Sequence, residues 1–357
     1  MLRVARFRSP LTAELVGASV SDETTHLGVA WDTDPDAAVA RALGEARERR
    51  WANTPPPTKA LASKRVHDVD ADFELGDVTQ FVSLTGEPYS GGWPLRDGGR
   101  SIYVVPSTAG VDIPAGLVWA NLPLGPGLPP LRDLGSNGLA FAANHSEAAQ
   151  HARWELFERE VAMRVHLGTA ASRPIPVPES LASLVHALAS SEVIVDCAII
   201  EPYVAVAAIR SQRSDLPRAS IATAARAHAP DAVRAAILEG LQVYHFAMQA
   251  RRGDRPTQLT AAPSNQKERA MYWARKPGDA WKRYVATDDA TTRPKRIEPN
   301  WGAVQIVIGE DAGSIVRAIG PQFRHLSPSD RFPTHVSSRT PDHPTACQID
   351  FGIHPFV

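Results

Sequence analysis

The sequence of 357 residues predicts an α+β fold, with mixed or antiparallel sheets packed against long helices. Three observations lead there. Stretches with helical start signals recur at Asp34 to Asn53, Asn144 to His166 and Pro230 to Gly253. Short apolar runs read as strands: Val193 to Ile200 with Tyr203 to Arg210 as a buried hairpin, and Val304 to Ile308 and Gly313 to Ile319 as two more. The strand–helix alternation of a parallel sheet is missing, and so are a P-loop and a dinucleotide-binding glycine fingerprint.

Met1 to Val20 is irregular, with one strand expected near Glu14 to Val20. Thr33 and Asp34 precede Pro35, an N-cap followed by a first-turn proline, and open an alanine-rich helix. Thr54-Pro55-Pro56-Pro57-Thr58 stops it, because proline cannot continue the hydrogen-bonded ladder. Lys59 to Arg100 is polar and rich in turn residues. Ser101 to Pro106 and Gly116 to Ala120 read as strands, and Leu122 to Leu134 as a glycine- and proline-rich connection.

Gly135 to Ala143 is small and loop-like. Asn144 and Ser146 then offer capping oxygens, and Glu147 complements the helix dipole. Ala148, Trp154, Leu156, Phe157, Val161 and Val165 recur at helical spacing, so this helix is expected to be long and buried, with Trp154 and Phe157 in the core. Leu181 to Ser190 reads as a small amphipathic helix, and Pro263 to Arg275 as a further one. Lys276 to Asn300 is charged and turn-rich. The chain reads as one domain over 1–357, with 1–27 an N-terminal segment and 327–357 a proline- and histidine-rich tail.

Composition excludes several classes. A net charge of −1 gives no global attraction to nucleic acid or to an anionic membrane. The most apolar run, Val193 to Ile209, is broken by Asp196, Glu201 and Pro202 and cannot be read as spanning a membrane. Cys197 and Cys347 form no Cys-x-x-Cys pair, which removes a cysteine zinc site and a disulfide scaffold. No secretory signal is recognisable, and a cytoplasmic protein is expected. Twelve histidines occur without a His-Glu-x-x-His motif, and His145, His151 and His166 are expected to be structural or solvent-facing.

The chemistry-bearing pattern is a repeated pair of acids. Glu155 and Glu158 lie one turn apart on the central helix and are followed by Arg159. One such helix reads equally well as a solvated face with an i,i+4 ion pair. The pattern recurs as Glu45, Glu48 and Arg49, and a third helix carries Glu239 and Gln242 at the same spacing. Oxygen pairs on three helices can converge on a hard cation such as Mg2+, which is held by a few carboxylates together with substrate phosphates.

At these residues the chain resembles the YcaO family. Ser136-Asn137-Gly138-Leu139-Ala140, then Asn144-x-Ser146-Glu147-Ala148-Ala149, then Glu155-Leu156-Phe157-Glu158-Arg159-Glu160 resembles the family's central signature. Ala42-Leu43-Gly44-Glu45-Ala46-x-Glu48-Arg49 is similar to its first Glu-x-x-Glu-Arg helix, and Glu239-x-x-Gln242 to its later one. Ile102 to Pro106 resembles the strand and proline before the central loop, and His354-Pro355 the family's ending. The likeness runs from about Gly28 to the C-terminus.

The resemblance implies a YcaO-like fold and an ATP- and Mg2+-dependent cyclodehydratase that makes thiazoline or oxazoline rings in a ribosomal precursor peptide. It implies Glu45, Glu48, Glu155, Glu158 and Glu239 as the metal-holding set. Ser136, Asn137, Gly138, Arg49, Arg159 and Gln242 are implied to contact ATP. A separate leader-binding partner, and a homodimer or heteromeric complex, are also implied. The chain departs from the family at Gly28-Val29-Ala30, where a lysine is expected, and at Tyr244 and His245, where an arginine is. Two other readings therefore stand beside the first: a relative forming a thioamide or amidine, and a non-catalytic scaffold binding peptide or a partner enzyme.

Overall fold

The computed structural model describes residues 2–23, 25–65, 68–69, 82–83, 101–119, 122–127, 131–132, 138–166, 170–201, 203–253, 266–275, 281–285, 304–311 and 313–320. In chain order the elements begin with β1 (Arg3–Arg8), β2 (Val16–Ser21), β3 (His26–Asp32) and α1 (Pro35–Ala52). They continue with β4 (Ala62–Arg65), β5 (Val82–Ser83), β6 (Ser101–Pro106), β7 (Asp112–Pro114), β8 (Leu131–Arg132) and β9 (Leu139–Ala142). Next come α2 (His145–His166), β10 (Arg173–Pro174), α3 (Ala182–Ser190), β11 (Val193–Glu201), β12 (Val204–Ser211) and β13 (Ala219–Ala225). The described chain ends with α4 (Ala229–Gly253), α5 (Gln266–Arg275), α6 (Lys282–Val285), β14 (Gln305–Asp311) and β15 (Gly313–Ile319).

Every described strand pairing is antiparallel. The sheets run β1-β2-β3, β10-β11-β12-β13, β14-β15-β9, β4-β6-β7 and β5-β8. The α+β expectation is met, the expected hairpin is present as β11–β12, and the two later expected strands pair with each other as β14–β15.

The four-stranded sheet is buried on both faces. Val204, Val206 and Ala208 of β12 pack in the core cluster of α2, while Ala205, Ala207 and Ile209 pack in that of α3 and α4. This is period-2 alternation with apolar side chains on each side, which is why β12 reads in sequence as an unbroken apolar run. The centre of the contact between the β1-β2-β3 sheet and α1 is made of small side chains, Ala18, Val20 and Ala30 against Ala38, Ala42 and Ala46, with Leu2, Leu27, Val39 and Leu43 partly buried around it. Alanine lets the helix backbone approach the sheet closely.

Local start signals behave as expected. Asp34 accepts from Asp36 N–H to cap α1, and Asn144 accepts from Glu147 N–H at 2.9 Å to cap α2. Trp154 packs partly buried against the core cluster that contains Phe157. His166 is buried, with Nδ1 at 2.9 Å from the Tyr284 hydroxyl, whereas His145 and His151 are exposed.

The structure corrects several readings. Gly116 to Ala120 is not a strand: Ala115–Leu117 form a 3-10 turn, and the strand lies upstream at Asp112–Pro114. Leu139–Ala142, inside the loop-like stretch, is β9 and pairs with β15. The N-terminal region holds two strands, β1 and β3, on either side of the expected one. The tail at 327–357 and the loop at Tyr89 to Pro94 lie outside the described residues.

Two buried polar junctions tie the N-terminal sheet to α4. Asp32 is 1 % exposed and accepts from Arg234 at 2.6 Å, with Arg41 at 3.5 Å. Its carboxyl sits below the usual range: burial pushes it up, and the hydrogen bond and charge of Arg234 outweigh that. His245 stacks on Trp31 with ring centroids 4.0 Å apart. Its Nδ1 donates to the Leu241 carbonyl, which can only accept, so Nε2 accepts from the Ser9 hydroxyl 2.7 Å away.

The closeness of α1 to β3 yields a test. A Cβ on Gly28 would lie 2.2 Å from Ala42 O and 2.9 Å from Ala46 N, both backbone atoms of α1. Gly28→Ala is expected to cost about 1–3 kcal/mol of stability, read by denaturant unfolding, because the helix must move off the sheet. An unfolding midpoint equal to the wild type would contradict this packing.

Candidate active site

Glu45 and Glu48 project from α1, Glu155 and Glu158 from α2, and Glu239 and Gln242 from α4. The structure brings the acids of all three helices into one electrostatic neighbourhood. Glu48 feels Glu155 and Glu45; Glu45, Glu155 and Glu158 each feel Glu239.

Three of the acids are fixed by main-chain donors. Val29 N–H on β3 donates to Glu45 Oε2 at 2.7 Å. Phe141 N–H on β9 donates to Glu48 Oε1 at 2.7 Å. Ala225 N–H on β13 donates to Glu158 Oε2 at 3.1 Å, and the Thr223 hydroxyl donates to Glu158 Oε1 at 2.9 Å.

Arg159 lies in the middle of the cluster. It is 3.3 Å from Glu158, 3.7 Å from Glu155 and 4.0 Å from Glu239. Its Nε has no hydrogen-bond partner among the described residues. Burial works against its charge, and the surrounding carboxylates more than offset that, holding the guanidinium protonated above its ordinary range. Arg49 pairs with Glu45 and donates to the Leu27 carbonyl at 3.2 Å. Thus both arginines expected at phosphate engage carboxylates of the cluster in this structure.

Desolvation dominates the electrostatics. Burial raises the carboxyls of Glu45 and Glu48, the latter well above its usual range with Glu155 adding to it. Burial likewise lifts Glu155 to about 7, against the opposing charges of Arg159 and Arg317. Glu158 is lifted to about 7 by burial, opposed by Arg159. Side-chain exposure climbs from 6 % at Glu158 through 20 % at Glu155 and 25 % at Glu45 to 33 % at Glu239, so the cluster opens toward α1 and α4.

Beside that opening lies a cavity of about 720 Å3 that shares Glu45, Arg49 and Gln242 with the site. The remaining wall is largely aromatic and aliphatic, including Phe7, Val29, Trp31 and Phe246.

The donor set fits magnesium. It consists of hard carboxylate oxygens whose charged form is made costly mainly by burial, a cost that a bound cation would offset. Among the described residues no three or more acids, histidines or cysteines stand close enough to hold a metal by themselves. Mg2+ is commonly held by one or two carboxylates together with phosphate oxygens, and that looser arrangement suits these positions.

Of the remaining expected positions, Ser136 and Asn137 lie outside the described residues. Gly138 is buried with φ 72°, and its carbonyl accepts from Ala318 N–H at 2.7 Å. A Cβ there would lie 2.4 Å from Ala318 O, so the turn into β9 demands glycine. Reading the sequence missed Arg317, a cation 1 % exposed on β15, whose charge acts on Glu155. A single arginine among Ile315, Val316, Ala318 and Ile319 is the signal that marks it. It also missed the main-chain donors, which no side-chain pattern encodes.

The pKa values give a pH test. A carboxyl whose ordinary value is 4.5 and that is raised to about 7 on folding favours the folded state while protonated. That contribution is full below the unfolded value and is lost as pH rises through the folded one. With metal chelated, the melting temperature is expected to fall between about pH 5 and about pH 8, and Glu155→Gln to flatten the fall. Equal slopes in the two proteins, followed by calorimetry, would remove Glu155 from the buried set.

Comparison with known proteins agrees with this geometry. The model of the family described as YcaO cyclodehydratase, ATP- and Mg2+-binding, matches residues 104–304, more than half of the chain. No curated protein matches the sequence. A heterocyclase solved with substrate and cofactor superposes with a TM-score of 0.68 at 11% identity, over 91% of this chain and 50% of its own. This chain therefore spans half the length of that heterocyclase. YcaO from Methanopyrus kandleri, bound with AMPPCP and Mg2+, gives 0.54 at 15% identity over 89% of this chain and 84% of its own. The E. coli microcin synthetase McbBCD complex with pro-MccB17 bound gives 0.62 at 14% identity, over 90% and 88% respectively. At these identities the structures speak for the fold, and the family match speaks for descent: the chain belongs to the YcaO family.

Proposed function

We propose that this protein is an ATP- and Mg2+-dependent cyclodehydratase that activates a backbone amide of a ribosomal precursor peptide. The observation that carries the reading is the convergence of Glu45, Glu48, Glu155, Glu158 and Glu239 from three helices in one partly buried cluster.

A Cys, Ser or Thr side chain of the peptide attacks the preceding carbonyl carbon. That attack closes the ring; the resulting oxyanion takes the γ-phosphoryl group of ATP with release of ADP, then leaves as phosphate while the amide nitrogen loses its proton, forming the C=N bond of a thiazoline or oxazoline. An amide oxygen leaves poorly, and phosphorylation corrects that. The protein's part is positioning and charge neutralisation, as in other phosphoryl transfers.

Glu45, Glu48, Glu155, Glu158 and Glu239 would hold Mg2+, with Gln242 completing the oxygen set. The metal supplies neutralisation of phosphate charge there. The main-chain N–H groups of Val29, Phe141 and Ala225 keep three of these acids oriented. Arg159, relieved of its carboxylates when a cation takes its place, turns its guanidinium to phosphate oxygens by charge-assisted bonds. Arg49 stays with Glu45 and the Leu27 carbonyl at the rim and holds that carboxylate in place. The precursor is presented by a separate leader-binding protein, a role consistent with the peptide-bound state of the similar microcin synthetase complex.

The test combines mass and ATP turnover in purified protein supplied with partner and candidate precursor. Loss of one water per ring with phosphate release is expected. Replacement of an amide oxygen by sulfur would move the assignment to thioamide formation, and ATP binding without turnover to a scaffold. Glu155→Gln is expected to lower turnover by ~10²-fold or more with an unchanged circular dichroism spectrum. An unchanged rate would take Glu155 out of the metal set.

A further inference from the structure

The cavity beside the carboxylates is chemically unlike the cluster it adjoins. Its volume is about 720 Å3, within the range of small-ligand sites. Phe7, Trp31 and Phe246 supply aromatic wall, and Val29 and Val243 supply aliphatic wall. Phe7 and Trp31 are mutually braced edge-to-face at 4.8 Å, and Trp31 is backed by the His245 ring at 4.0 Å. That half of the chamber is preformed.

Its capacity for anions is already spent. Arg49, the one permanent cation among the described lining residues, is committed to Glu45 and to the Leu27 carbonyl. The Val29 N–H donates to Glu45 as well. The remaining polar lining is Ser19, Gln242, Gln249 and two histidines, of which His245 is engaged by Ser9 and the Leu241 carbonyl and His26 lies at the exposed edge. A phosphate placed deep in the chamber would meet the Glu45 carboxylate with no unengaged arginine or lysine among the described lining residues. An uncharged, flat side chain meets aromatic walls, and the Gln242 and Gln249 amides can pair with the N–H and C=O groups of its own backbone. Phe246, 42% exposed at the rim, is a large apolar surface left open to water until something covers it.

We infer that this chamber is a specificity pocket for an apolar, preferentially aromatic, side chain of the peptide substrate, next to the amide that the carboxylate cluster activates. The inference rests on the cyclodehydratase reading and deepens it, since Glu45 and Gln242 belong to both spaces. It assigns to Trp31 and Phe246 the selection of the residue that flanks the modified one.

The probes are the blocked dipeptides acetyl-Phe-Cys-amide and acetyl-Gly-Cys-amide, with a non-hydrolysable ATP analogue as the third ligand, each titrated by ligand-observed NMR. The Phe dipeptide is expected to bind ~10-fold tighter than the Gly dipeptide. Phe246→Ser is expected to abolish that preference while leaving the affinity for the Mg2+-loaded analogue unchanged. The position is chosen because its exposure spares the core. If Phe246→Ser weakens the nucleotide analogue and spares the dipeptides, the chamber belongs to the nucleobase and the inference falls. Equal binding of the two dipeptides also overturns it. A preserved dipeptide preference in a protein that never dehydrates a precursor would sink the proposed activity and leave the pocket standing.

Discussion

The constraint on which the site depends is a set of three hydrogen bonds from main-chain N–H groups to buried carboxylates. Val29 donates from β3, Phe141 from β9 and Ala225 from β13. In the strand orders of their sheets each of these strands lies at the end of the row. An outermost strand leaves N–H groups without a ladder partner, and proteins must occupy or shield them. Here glutamates from α1 and α2 accept from those donors. The same contacts that satisfy three sheet edges therefore fix three members of a charged cluster, and the site is a seam between sheets rather than a pocket carved into one.

Placing α1 in that seam requires close approach, which explains its composition. The helix meets β2 and β3 through Ala38, Ala42 and Ala46, and Gly28 leaves no room for even a methyl group beneath Ala42. Larger residues would lift α1 by the width of a side chain and break the bond from Val29 to Glu45. Gly28, the one glycine of β3, and the alanine-rich helix are thus one device. Replacement of an expected lysine by Val29 leaves this device intact, because the contact uses the main chain, and changes the character of the adjoining cavity from cationic to apolar.

The helices and their acid pairs were legible in the sequence because their determinants are local. Caps at Asp34 and Asn144, proline at Pro35 and one-turn spacing of acids need only neighbouring residues to be read. The strands that complete the site were not. β9 is four residues long, and its partner β15 lies far along the chain. β13, Ala-Ser-Ile-Ala-Thr-Ala-Ala, has every residue buried, so polar alternation is absent and its small residues resemble a linker. β1, Arg-Val-Ala-Arg-Phe-Arg, looks like a basic arm because only Phe7 turns inward over Gly17. That the helices meet at all is a property of sheet pairing between distant segments, and no local pattern announces it.

Why the protein tolerates the cluster follows from its charge balance. Removing several carboxylates from water is unfavourable, and opposing charge repays that only where geometry is good. Arg159 stands at 3.3 to 4.0 Å from three acids, distances too long for strong hydrogen bonds to all of them, and its Nε stays unbonded among the described residues. Those three acids come from α2 and α4, while Arg49 serves Glu45 on α1 and Arg317 acts on Glu155. On the proposed function, a divalent ion with phosphate oxygens would suit such a cluster, because it supplies more charge in less volume and accepts ligands from any direction. The main-chain bonds from Val29, Phe141 and Ala225 hold the acids in place without depending on a cation.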